Sequence, residues 1–253
     1  MRKNLFTIVA AFCVAGGLMA AEFSWTVLGN LYRSGDYAGV ESAAMSMKES
    51  AKTELQKGAL VTNIAMARQR LGRYANSDAA LADIDAVAKD FGLRTNADSV
   101  QKAKLSVLFA RKEHSKAVEI SSNWVGKQTL HRRAIALAAL GRYDEASATY
   151  AASGDKGTLV LAAQTALRAK LPEKVFEYSN RAFASEDIKD PVAAITLVNA
   201  VIDADYTGTT VTPAKVKEFL QTVNRKYSRK LVVNAPTKWD TLIQLVRQTL
   251  ETY

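Results

Sequence analysis

Cysteine, histidine and proline are all scarce in this 253-residue chain. The single cysteine, Cys13, allows no intrachain disulfide and no site built from several thiolates. The two histidines, His114 and His131, do not have the spacing of a histidine-based zinc motif. Four prolines and 8% aromatic residues, beside 48% hydrophobic residues, favour alanine-rich helices over β-sheets.

Recognisable catalytic motifs are missing as well. The chain has no Gly-x-Ser-x-Gly elbow, and Cys13, its only thiol, lies in the N-terminal apolar stretch. A calcium-like loop begins at Asp203, but Ala214 takes the position where a bidentate glutamate is required. We therefore predict a protein that is not an enzyme, with no catalytic residues, no metal site and no cofactor.

The N-terminus has the composition of a secretory signal peptide. A positively charged start precedes an uncharged, mainly apolar run at residues 5–15 and the small-residue pair Ala20-Ala21. The run is shorter than the roughly 20 residues that cross a bilayer. We therefore expect residues 1–21 to be cleaved during export, which gives a periplasmic or secreted bacterial protein.

Positive charge is concentrated near the C-terminus. The formal net charge is +9, and between Val211 and Lys238 seven basic residues accompany one acidic residue, Glu218. This basic patch is either a solvated helix face or a surface for anionic lipid, cell-wall polymer or an acidic protein. No nucleic-acid partner is expected of an exported chain. The patch comprises Lys215, Lys217, Arg225, Lys226, Arg229 and Lys230.

Apolar residues recur at helical spacing in nearly every stretch after Phe23. We predict about thirteen helices, separated by short polar or glycine-containing breaks. The predicted spans are 24–34, 37–48, 51–71, 75–91, 97–111, 115–125, 127–140, 144–153, 156–169, 173–184, 190–204, 213–228 and 237–252.

Three of these breaks share a motif of a glycine, a variable residue and a tyrosine. Glycine suits the end of a helix because it adopts positive φ. In the third copy Ala146 follows three residues after the tyrosine, where a small side chain lets two helices approach closely. The three copies are Gly35-Asp36-Tyr37, Gly72-Arg73-Tyr74 and Gly141-Arg142-Tyr143.

The unit around the third copy resembles the tetratricopeptide repeat, a helix-turn-helix of about 34 residues. The resemblance extends over residues 24–184, with degenerate copies in which Lys112 and Lys170 replace the glycine. It implies an all-α fold, an α-solenoid of about five degenerate helix-turn-helix pairs in residues 22–184. Residues 185–253 would form a C-terminal helical extension and cap that includes the basic helix.

The family lines a concave groove with the first helix of each pair, so the resemblance implies a groove here. Arg33, Arg70 and Arg168 share one repeat position and would form a basic ladder that binds carboxylates. The helix dipole equally favours arginine at these C-terminal positions. The implied groove residues are Trp25, Tyr32, Arg33, Met66, Arg70, Phe109, His131 and Arg168.

Three functions stay open at this point. The leading hypothesis is an exported scaffold or adaptor that binds a segment of another envelope protein in the groove. A second is an envelope-surface module whose basic C-terminal helix binds anionic lipid or cell-wall polymer. A third is a carrier of a small ligand held between helices, which is supported only by analogy of fold. No oligomeric state follows from the sequence.

Overall fold

The computed structural model describes residues 21–154, 156–184, 188–230 and 237–252, and every regular element in these ranges is helical. The predicted all-α class and helix number are confirmed. Cys13 and the predicted signal peptide, apart from Ala21, lie outside the described residues. The helices are α1 (Trp25–Ser34), α2 (Tyr37–Ser46), α3 (Glu54–Arg70), α4 (Ser77–Asp90), α5 (Asp98–Ala110), α6 (His114–Ile120), α7 (Lys127–Ala139), α8 (Tyr143–Ala152), α9 (Lys156–Arg168), α10 (Pro172–Ala184), α11 (Pro191–Asp203), α12 (Pro213–Tyr227) and α13 (Lys238–Thr252), with 3-10 turns at Lys48–Ser50 and Ser228–Lys230.

The chain divides into two compact units between Ala103 and Lys104, inside α5. In the first unit α2 packs against α1 and α3, and α3 packs against α4. In the second unit each helix from α6 to α10 packs against the next, and α9 also packs against α11. Packing of each helix on its neighbours along the chain is the order found in helical repeat proteins.

Five of the interhelical turns, each after the first helix of a predicted pair, have the same backbone geometry, and the turn at Gly92 after α4 shares it. Each has one residue in the left-handed region, with φ between 57° and 77°. In each, the N–H of the following residue donates to the carbonyl five residues earlier, as from Arg142 to Leu137 (3.0 Å) and from Leu171 to Ala166 (3.0 Å). The left-handed residues of these five turns are Gly35, Gly72, Lys112, Gly141 and Lys170.

Two other positions keep a fixed relation to these turns. The residue seven positions before the turn and the residue five positions after it are buried in all five copies. A helical repeat is recognised by helix pairs that bury equivalent residues. The described part of the chain is therefore helical and repeat-like. The residues before the turn are Leu28, Ala65, Leu105, Ala134 and Ala163, and those after it are Val40, Ser77, Ala117, Ala146 and Val175.

The last three helices belong to the core of the second unit. Asp190 and Thr212 cap α11 and α12, and a proline opens each helix, as predicted. The hydrophobic core of this unit extends from Ala134 to Val246, on both sides of residue 184, after which the sequence predicts a change of organisation. The predicted apolar stripe of α12 is buried, and consists of Val216, Phe219, Leu220, Val223 and Tyr227.

The largest difference between a predicted and an observed helix end is at the C-terminus of α6. The prediction carries α6 to residue 125, whereas the helix ends at Ile120. The buried hydroxyl of Ser121 donates to the carbonyl of Ala117, and Arg133 of α7 donates to the carbonyl of Ser122 at 2.8 Å. These side chains donate hydrogen bonds to carbonyls at the end of α6, and so stabilise the end of the helix at Ile120.

Candidate functional site

Arg70 and Tyr32 form the centre of an aromatic and basic cluster in the first unit. Arg70 is fully exposed at the end of α3, and its hydrogen bond to the Tyr32 hydroxyl raises the pKa of the guanidinium. The Tyr32 ring lies edge-on to the Tyr37 ring, with centroids 5.4 Å apart. The structure thus brings together two predicted groove residues, Tyr32 and Arg70, with the turn residue Tyr37.

Arg33 has a different environment. Its Nε donates to the Gly29 carbonyl at 3.2 Å, and its Nη2 donates to Asn30 Oδ1 at 2.7 Å. Both partners lie on α1 itself, so the guanidinium lies back along the helix that carries it. This is the arrangement favoured by the negative end of a helix dipole.

The remaining groove residues of the first unit differ in exposure. Trp25 is 55% exposed at the start of α1, and its ring lies edge-on to Phe23 with centroids 4.9 Å apart. Met66 is half-buried in α3. Trp25 is thus the largest exposed apolar side chain near the predicted groove positions of this unit.

A second aromatic and basic cluster lies in the second unit. His131 of α7 lies edge-on to Tyr150 of α8, with centroids 5.5 Å apart. Burial raises the pKa of Tyr150, and the positive charge of Arg168 on α9 opposes that rise. Phe109, in contrast, contacts His114 (centroids 5.2 Å apart) rather than this cluster. The structure therefore groups His131 and Arg168 with Tyr150, which the sequence did not single out as a groove residue.

The turn residues have structural roles. Gly35, Gly72 and Gly141 have positive φ and open space at the position of a missing Cβ, so their backbone conformation alone favours glycine. Tyr37 and Tyr143 are half-buried. These residues fix the geometry of the helix pairs that carry the two clusters.

Tyr74 and Arg68 belong to an ion-pair network between helices of the first unit. Arg68 donates to both carboxylate oxygens of Asp83 at 2.6 and 2.8 Å and to Glu41 at 2.9 Å. Arg73 donates to Glu41 at 2.6 Å, and the Tyr74 hydroxyl donates to Asp83 at 2.7 Å. Burial lowers the pKa of Arg68, but the bonds to Asp83 and Glu41 raise it by more. Sequence reasoning missed this network, since its members come from α2, α3, α4 and the turn between α3 and α4.

Two lysines of the predicted basic patch bind other groups of the second unit. Lys226 donates to the Phe183 carbonyl at 2.7 Å, where it caps the end of α10. Lys230 lies 4.7 Å from the centroid of the Trp239 ring and 5.0 Å from that of Tyr227, within the range of cation–π attraction. These two lysines therefore serve the fold of the second unit.

The other members of the patch are more accessible. Lys215 donates to the Thr210 carbonyl at 3.2 Å, and its charge contributes to a lowered pKa of Glu173, whose larger cause is hydrogen bonding from Thr210. Arg225 and Arg229 are exposed, and Lys217 is half-buried in α12. Arg225 and Arg229 are thus the part of the patch most open to a partner.

A half-buried arginine in α7 also escaped sequence reasoning. Burial lowers the pKa of Arg132, and no acidic side chain counters that effect within the described ranges. Its neighbour Arg133 caps the end of α6 instead. The only signal in the sequence is the pair of successive arginines, which does not show that Arg132 is half-buried while Arg133 caps α6.

Neither the models of known protein families nor the curated proteins match this sequence. Among the described residues, no group of three or more histidine, cysteine or acidic side chains is placed to hold a metal ion. No helix in the described part of the chain is both long and apolar enough to cross a membrane. The candidate site is therefore defined by its own geometry: two clusters, each with an exposed arginine near half-buried or buried aromatic rings.

Proposed function

We propose that the protein is a non-enzymatic scaffold or adaptor that binds segments of other proteins. One observation carries this proposal: Arg70 and Arg168 are exposed and hold the same position relative to a left-handed turn, and each acts on a tyrosine of another helix. Arg70 bonds to Tyr32 of α1, and the charge of Arg168 acts on the buried Tyr150 of α8. Exposed arginine beside tyrosine is a combination enriched in protein interfaces. The rigid helices fix these side chains before a partner arrives, which lowers the entropic cost of binding.

We further propose that the array is of the tetratricopeptide type. The five equivalent turns and the core positions in fixed relation to them support this assignment. In such an array the residue two positions before the turn lies on the binding side of the first helix. Arg70 and Arg168 occupy that position, and Arg33, which occupies it too, bonds to its own helix.

The proposed place of action is the cell envelope. The basic start, short apolar run and small residues of positions 1–21 support export. A mature chain without cysteine is compatible with an oxidising compartment. Partners are then envelope proteins whose exposed segments carry carboxylates, because arginine recognises carboxylates through paired hydrogen bonds.

Crosslinking in intact cells, followed by affinity capture, tests the scaffold function. The test variant replaces Arg70 and Arg168 with glutamate, and the matched control replaces Arg225 and Arg229 in the same way. We expect the test variant to lose specific crosslinked partners that wild type and control retain. Equal recovery by all three proteins contradicts the proposal, provided that circular dichroism shows the same helix content.

A second function has support from the basic patch. Arg225 and Arg229 are exposed in the second unit, on α12 and the 3-10 turn that follows it. Two exposed cations attract anionic lipid or cell-wall polymer, with roughly 1 kcal/mol per residue near an anionic membrane. Cosedimentation with phosphatidylglycerol vesicles at low and high salt tests this alternative. Binding that neither salt nor replacement of both arginines by glutamine reduces would exclude it.

A further inference from the structure

A polar pocket of about 370 Å³ opens in the first unit, beside the C-terminal end of α4. One wall comes from the 3-10 turn and the segment that leads into α3, and the other from the last residues of α4 and the turn after it. Three lysines and two acidic residues line it, which gives its walls a net charge of +1. We refer to it as the lysine pocket, and its residues are Lys48, Glu49, Ala51, Lys52, Lys57, Asp90, Phe91 and Gly92.

Two of the three ammonium groups already have partners. Lys48 Nζ donates to Asp90 Oδ1 at 2.7 Å, and Lys52 Nζ donates to the Glu49 carbonyl at 2.8 Å. Lys57 is half-buried, and its ammonium group has no hydrogen bond or ion pair with any residue in the described ranges. Its Nζ lies 3.7 Å from the point where a Cβ of Gly92 would stand, at the wall of the pocket. Lys57 therefore brings an uncompensated positive charge to this site.

Helix capping does not explain the position of Lys57. The carbonyls of the last turn of α4 accept backbone N–H groups: Val87 from Phe91 at 3.0 Å, Ala88 from Leu93 at 2.8 Å and Lys89 from Gly92 at 2.9 Å. These bonds satisfy the carbonyls that a basic side chain would otherwise cap. The ammonium group of Lys57 is thus available to a ligand.

We propose that the lysine pocket binds a phosphate group, carried either by a soluble phosphate or by the headgroup of an anionic lipid. Lysines act as compact point charges, which suit the several oxygens of a phosphate, whereas carboxylates are better matched by the planar fork of arginine. The Asp90 carboxylate on Lys48 shows that these ammonium groups reach anionic oxygens at 2.7 Å. A phosphate would contact Lys57 and compete with Asp90 for Lys48.

This competition predicts opposite effects for two substitutions. Lys57→Gln removes the free charge, and we expect it to weaken phosphate binding about fivefold, the size of one exposed ion pair. Asp90→Asn releases Lys48 and removes a repulsive charge, so we expect it to strengthen binding about threefold. A purely structural pocket does not predict a gain of binding. Lys89→Gln, an exposed lysine of α4 outside the pocket walls, is the control and leaves affinity close to wild type.

The full-length mature chain is titrated calorimetrically with inorganic pyrophosphate at low salt, and cosedimented with vesicles of phosphatidylglycerol or of phosphatidylcholine. Binding of pyrophosphate with the expected order of variants supports a soluble phosphate as ligand. Binding only to phosphatidylglycerol vesicles, with that order, supports a lipid headgroup. Absence of binding in both arms, or equal affinity of wild type and Lys57→Gln, overturns the proposal. Thermal unfolding of each variant verifies that the first unit is folded.

Discussion

Gly58 of α3 lies directly against Ser99 of α5, so that a Cβ atom added to Gly58 would stand 2.1 Å from the Ser99 Cβ. Such a distance is far inside van der Waals contact, and the obstacle includes the Ser99 Cβ rather than only a flexible side-chain end. The two helices can approach this closely only because position 58 has no side chain.

We therefore expect Gly58→Ala to lower the free energy of unfolding by about 1–3 kcal/mol through overpacking. The measurement is chemical denaturation followed by circular dichroism. Ser99→Gly in the same chain should recover part of the loss, because it removes the opposing Cβ. Gly29→Ala is the control, since nothing lies within 4 Å of its missing Cβ, and we expect no loss of stability there. A loss at Gly29 equal to that at Gly58 would refute the contact.

Lys170 has a φ of 57°, a conformation that strains residues with a Cβ. Lys170→Gly should raise the free energy of unfolding by about 1 kcal/mol, because glycine relieves this strain at a small entropic cost. Lys170→Ala keeps the Cβ and is the control for loss of the lysine charge. If alanine stabilises the chain as much as glycine does, backbone strain is not the cause.

The Arg68 network should contribute more to stability than a surface ion pair. Arg68→Met leaves Asp83 and Glu41 without their guanidinium, and we expect a loss of about 1–2 kcal/mol in denaturation experiments. Arg142→Met breaks a pair with Glu145 in which both side chains are 45% exposed, and should cost much less than Arg68→Met. Equal losses would show that the network adds nothing beyond a single exposed pair.

Tyr74 makes stability sensitive to alkaline pH. Burial, followed by the hydrogen bond to Asp83, raises the pKa of its hydroxyl above the ordinary value. The unfolded chain loses this proton near pH 10 whereas the folded chain retains it, so the free energy of unfolding falls as pH rises above about 10. We expect Tyr74→Phe to make this fall shallower in denaturation curves at pH 8 to 11.

The control for this experiment is Tyr143→Phe, at the equivalent position after Gly141, which leaves the Tyr74–Asp83 bond intact. Its free energy of unfolding should fall above pH 10 as steeply as that of the wild type. At neutral pH Tyr74→Phe should itself cost about 1 kcal/mol, since it removes a hydrogen bond of a buried hydroxyl. If the free energy of unfolding of Tyr74→Phe falls as steeply above pH 10 as that of the wild type, other groups cause the fall.

The helices and turns were predictable because their signals are local. The spacing of Val216, Phe219, Leu220 and Val223 predicts the buried face of α12 without reference to any other helix. Alignment on the glycine turns also identified Lys112 and Lys170, which have positive φ despite their side chains. A local pattern specifies a turn because its hydrogen bonds close within six residues.

The candidate sites were less predictable, because they depend on which helices become neighbours. Sequence alone grouped Lys226 with the other basic residues, yet its ammonium group binds the carbonyl of Phe183, 43 residues earlier. Arg33, Arg70 and Arg168 share a sequence position, but Arg33 bonds to its own helix and Arg70 to a tyrosine of another. The repeat position determines where a residue lies on its helix, and the neighbouring helix determines which group its side chain binds.

Three left-handed residues of the second unit, each after the first helix of a pair, have a consequence for how such a chain can change length. Lys112, Gly141 and Lys170 are separated by equal intervals of 29 residues. A duplication or deletion of one interval whose ends fall at these turns therefore leaves every left-handed position in place. An insertion of a few residues inside a helix would instead rotate all later side chains about the helix axis, by about 100° for each residue. The turns are the points at which this protein can gain or lose a module without losing its register.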